Sequence, residues 1–78
     1  MKTELQEFIE VCESGNIGLY MPTTDQLLEM LGDKFNKLRR IQDGNYTVDG
    51  ISNHYPIITI GQSARIALAR AVKEVLNG

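Results

Sequence analysis

The chain's one histidine, His54, lies in the passage Ser52-Asn53-His54-Tyr55. An imidazole that titrates near neutral pH could act as a general base or a ligand. No second histidine or carboxylate pair accompanies it, so it reads as a solvated loop residue. Cys12, the one cysteine, is flanked by Glu10 and Glu13. A reactive thiol needs an electropositive, accessible setting, and this one falls on an apolar helical stripe, where it reads as a small core residue. A single cysteine also excludes an intramolecular disulfide and the cysteine-rich four-ligand zinc sites. Ser14, Ser52 and Ser63 lie outside any Gly-x-Ser-x-Gly elbow. The seven glycines form neither a P-loop nor a Gly-x-Gly-x-x-Gly turn. Glu4, Glu7, Glu10 and Glu13 recur every third residue, a spacing that drifts around a helix and reads as a solvated face. No catalytic, cofactor-binding or metal-ligating set emerges, and a non-enzymatic protein is expected.

What remains is charge. The net charge is −2, but residues 1–33 hold one lysine against seven carboxylates, while residues 34–78 hold seven basic residues against three acidic ones. Either the molecule has an acidic and a basic face, or the two ends lie together and cancel; the second reading is the simpler. Candidate contact residues are Glu4 and Glu7 on the acidic side and Lys37, Arg39, Arg40, Arg65 and Arg70 on the basic side.

Several elements must position these residues. In TELQEFIEVCES, the apolar Leu5, Phe8, Ile9 and Cys12 recur at helical spacing. Thr3 and Gln6 have the spacing of a capping box, and Gly15 is a natural stop. NIGLYM is a turn or a minor strand. Pro22 and Thr23 open a second helix, with Thr23 and Gln26 as another capping box and Leu27, Leu28 and Leu31 facing the core. The reading then forks. One long helix could run through Phe35 and Leu38 to Gln42. Alternatively Gly32 and Asp33 end the helix, and a hairpin turns at Asp43-Gly44, pairing Ile41 with Tyr46 and Arg39 with Val48. The hairpin is preferred because Gly32 and the polar passage after it oppose helix. The passage from Gly50 through ISNHY is expected as a loop, and the β-branched PIITI as a strand. Ser63 caps a final helix whose Ile66, Ala67, Ala71 and Val75 line one face, as a lid on the sheet.

The expected fold is α+β and two-layered, a small three-stranded antiparallel sheet packed by helices in the order α-α-β-β-β-α. It makes one domain over 1–78, with an amphipathic helix in 1–15 and an αβββα core in 22–78. Such a domain buries only about 60% of its unfolded surface, so docking or self-association would recover burial it lacks alone. No apolar run approaches the ~20 residues of a membrane span, and the glutamate-rich first segment is unlike a secretory signal; a reducing cytoplasmic setting is expected.

Two resemblances accompany this reading. The helix–strand–strand–strand–helix order closing in GQSARIALARAVKEVL resembles a double-stranded-RNA-binding domain. That family presents consecutive lysines at the start of the last helix, whereas Gln62-Ser63-Ala64-Arg65 offers one arginine here. The sequence pI of 5.2 also has the wrong sign for affinity built on phosphate contacts. Residues 24–77 resemble the small αβββα orphan domains of phage and prophage genomes, the phage ABA-sandwich type, on LLEML, IQDGNY and TIGQSARIALARAV, with Tyr46 standing where a tryptophan is usual. That resemblance implies an accessory protein without an active site and transfers no functional residue. The expected function is a protein-binding accessory module of phage or mobile-element origin, whose partner is another protein or a second copy. The alternative is a weak nucleic-acid binder using Arg39, Arg40, Arg65 and Arg70.

Overall fold

The structure, a computed structural model, describes residues 2–77. Its elements are α1 (Glu4–Ser14), α2 (Thr24–Leu31), a 3-10 turn (Gly32–Lys34), β1 (Phe35–Arg40), β2 (Tyr46–Ser52), β3 (Tyr55–Gly61) and α3 (Ala64–Asn77). This is the α-α-β-β-β-α order, with an antiparallel sheet in the order β1-β2-β3.

Local chemistry sets the helix ends. Thr3 Oγ1 accepts from the Gln6 N–H at 3.1 Å while the Gln6 side chain accepts from the Thr3 N–H at 2.9 Å. Thr23 and Gln26 repeat the exchange at 3.1 and 2.8 Å. Each box satisfies two backbone donors that a helix start leaves open. Gly15 does cap α1, but the left-handed residue is Asn16 (φ 55°), whose N–H bonds to Glu13 O while that of Ile17 reaches Cys12 O. Gly15 is needed instead for closeness, since a Cβ there would lie 2.9 Å from Lys73 Cβ on α3. The NIGLYM passage contains no strand; it turns at Asn16 and bends over residues 19–21, with Gly18 and Met21 also at positive φ.

The first hairpin differs in register from the expected one. Arg40 faces Tyr46, Arg39 faces Thr47 and Leu38 faces Val48, one residue away from the Ile41–Tyr46 and Arg39–Val48 pairing. Asp43-Gly44 is not a two-residue turn with both positions left-handed. Gly44 alone is at positive φ (87°), its N–H bonding to Ile41 O while the Ile41 N–H bonds to Asn45 O. The loop is therefore Gln42-Asp43-Gly44, a turn closed by a left-handed glycine. The shift places Leu38 beside Val48 on the core side.

The second hairpin is tighter than expected. Gly50 to Ser52 and Tyr55 are strand rather than loop, and only Asn53 and His54 turn the chain, both left-handed (φ 54° and 70°) as a two-residue type I′ turn requires.

The last helix is more than a lid. Ile66, Ala67, Leu68, Ala69, Ala71 and Val72 are all buried, which spans every side of a helix. It packs on β2 and β3 and also against α1 and α2, with Phe8, Leu27 and Val48 filling the core around it. Small residues allow the approach: the Thr59 hydroxyl donates to Ala67 O at 2.8 Å, and a Cβ on Gly61 would lie 2.7 Å from Ala67 N.

Candidate interaction face

The seven candidate contact residues fall into two groups. Glu4, Glu7, Arg65 and Arg70 form a seam between α1 and α3. Arg65 makes a two-pronged contact to the Glu4 carboxylate, with Nε at 2.7 Å from Oε2 and Nη2 on Oε1, while the Ser63 hydroxyl donates to Oε2 at 2.6 Å. The Arg65 guanidinium also lies 4.4 Å from the Phe8 ring centre, a cation–π stack. Arg70 bonds to Glu7 at 3.3 Å and to Ile60 O, and the Gln62 amide donates to Glu7. The acidic and basic ends of the chain thus meet and neutralise each other. The Arg65 hydrogen bonds hold the Glu4 carboxyl at about 2, and the carboxylate in turn raises Arg65 above its ordinary value. These four side chains have their partners within the chain. Ser63 also accepts from the Ile66 N–H, capping α3.

Lys37, Arg39 and Arg40 lie on β1. Alternation along the strands turns Lys37 and Arg39, Thr47, Asp49 and Ile51, and Pro56, Ile58 and Ile60 away from the helices. Among the described residues, no helix covers this face. Ile58 is 73% exposed, Ile51 59% and Ile60 45%, whereas Val48 on the opposite face is 1% exposed. The face is divided by chemistry: isoleucines and Pro56 on the β3 side, lysine and arginine on the β1 side. Asp49 stands between them with Arg39 at 3.5 Å. Thr47 Oγ1 sits at the boundary, buried between its cross-strand neighbours Arg39 and Ile60 with no hydrogen-bond partner among the described residues. The isoleucine half was missed as a surface, because a β-branched run reads as a strand without telling which face is covered.

A concave region, about 410 Å³, lies between α1 and the segment after it and is lined by Phe8, Ile9, Cys12, Leu19, Tyr20 and Met21 among others. Cys12 is buried there, and burial pushes its thiol up, which opposes nucleophilic use. His54 is exposed at the tip of the β2–β3 turn. Among the described residues no group of three histidine, cysteine or carboxylate side chains could hold a metal ion, and no helix is long and apolar enough to cross a membrane. In comparison with known proteins, the chain matches no protein-family model, no curated protein and no solved structure.

Proposed function

We propose that the chain is a non-enzymatic protein-binding module that docks through the open face of its sheet. The observation that carries this reading is the uncovered cluster of Ile51, Ile58 and Ile60 on a face where every helix lies behind the sheet. Grouped apolar side chains held in water on a rigid strand pair are the usual mark of a contact surface. The proposed role is that of an accessory protein of the phage orphan type, working in a reducing cytoplasm where the buried Cys12 stays a thiol. Capture from lysate with the wild type and with Ile58→Lys, each with and without nuclease, tests it. A protein recovered by the wild type in both lanes and lost with Ile58→Lys supports the reading; recovery unaffected by the substitution overturns it.

Weak nucleic-acid binding is the second reading, favoured by the exposed Lys37 and Arg40 on β1, which have no ion-pair partner among the described residues. Arg39, Arg65 and Arg70 are already paired with Asp49, Glu4 and Glu7, so three of its four arginines are occupied. Recovery that vanishes with nuclease supports this reading instead.

A further inference from the structure

We infer that the chain pairs with a second copy of itself, joined antiparallel along the free edge of β3 about a two-fold axis at Ile58, which sets the two open faces side by side. This deepens the protein-binding reading and rests on it. The inference comes from which backbone groups the edge offers. A two-residue turn makes Ser52 and Tyr55 a hydrogen-bonded pair, and in an antiparallel ladder such pairs recur at every second residue. Ile57, Thr59 and Gly61 therefore direct their backbone groups to β2, while Pro56, Ile58 and Ile60 direct theirs outward. The Arg70 side chain bonding to Ile60 O from outside the sheet agrees with this assignment.

Proline has no N–H, and Ile60 O is occupied by Arg70. The edge is left with the Pro56 carbonyl, the Ile58 N–H and carbonyl, and the Ile60 N–H. Two such edges centred on Ile58 match completely. Each Ile58 N–H meets the other copy's Ile58 carbonyl, and each Ile60 N–H meets the other copy's Pro56 carbonyl. The carbonyl for which proline could offer no donor, that of Ile60, is the one Arg70 already satisfies. A register centred on Pro56 would set two residues without N–H groups opposite each other, and one centred on Ile60 would compete with Arg70.

Charge favours the same edge. β1, the other edge, carries Lys37, Arg39 and Arg40 and is irregular between Phe35 and Lys37, both devices that discourage strand addition. Self-pairing there would set like charges opposite each other. Pairing through β3 gives a six-stranded sheet with the basic strands at its two outer ends. The isoleucines of both copies then adjoin on one face.

Sedimentation of the wild type, Ile58→Pro and Ile58→Lys over a wide concentration range tests this. Proline at 58 removes the outward N–H but no bond of the ladder to β2, so an edge strand tolerates it. The expected result is a particle of twice 8.7 kDa for the wild type and 8.7 kDa for both variants, with unchanged circular dichroism. A wild type that stays monomeric overturns the pairing, while the capture experiment above still decides the protein-binding reading. A dimer that survives Ile58→Pro overturns it too, and if Ile58→Lys alone breaks that dimer, the copies meet by faces rather than edges. Should Ile58→Pro fail to fold, amide exchange in the wild type decides: slow exchange at Ile58 and Ile60 that speeds up on dilution supports the pairing, and fast exchange at all concentrations overturns it.

Discussion

Glu4→Gln isolates the charge seam between α1 and α3, because glutamine keeps the shape of the side chain and removes its charge. The Glu4 carboxyl titrates at about 2 in the folded protein, lowered first by its hydrogen bonds with Arg65, against an ordinary 4.5. Full linkage would make that about 3.4 kcal/mol of stability. The Glu4 side chain is 33% exposed, and solvent screening reduces the figure to about 1–2 kcal/mol. The folded value is the lower one, so this stability is complete above pH 4.5 and is lost as the pH falls from 4.5 towards 2. Urea unfolding of the wild type and Glu4→Gln should therefore differ by about 1–2 kcal/mol at pH 7 and converge near pH 2. A double-mutant cycle with Arg65→Met, which keeps an alkyl chain over Phe8, should assign most of the difference to the pair. A gap that stays constant from pH 7 to 2 would refute the electrostatic account and make the loss one of packing.

Gly50→Ala should cost more than about 2 kcal/mol, since its Cβ would lie 2.3 Å from Lys34 O, a backbone atom that cannot yield; chemical denaturation reads this. His54→Gly should stabilise by about 0.5–1 kcal/mol, because glycine holds φ 70° without a Cβ penalty, seen as a higher urea midpoint. Thr47→Val should stabilise by about 1 kcal/mol by removing a buried hydroxyl that has no partner, measured in the same way. The Cys12 thiol should react with a thiol reagent only as fast as the protein opens, and reaction at the rate of a free thiol would contradict its burial.

The capping boxes were legible because they are patterns of residues three apart, Thr3 with Gln6 and Thr23 with Gln26. The order of elements was legible from periodicity and from Gly32. The register of the first hairpin was not, because Asp43-Gly44 serves two kinds of turn and only the backbone at Asp43 tells them apart. The second turn was hidden because Asn53 and His54 adopt left-handed conformations with no glycine to announce them. The Glu4–Arg65 pair joins residues 61 apart, and no local pattern reports a contact of that span. Arg65 and Arg70 could be named as charged residues, but not as residues already engaged. Ile58 and Ile60 were recognisable as strand, yet which side the helices cover depends on how α3 docks.

The position of α3 has a consequence for how the molecule opens. α1, α2 and the sheet each find their main packing surface on this one helix. Detaching it exposes Phe8, Leu27 and Val48 together and leaves two amphipathic helices that barely touch each other and a lone three-stranded sheet, none able to bury its apolar side. No stable partly unfolded form should then exist, and the amides of α1, α2 and β2 should exchange through a single opening with one shared free energy. The small domain behaves as one cooperative unit hinged on residues 64–77, and loosening any of its four contacts with the helix loosens all of them.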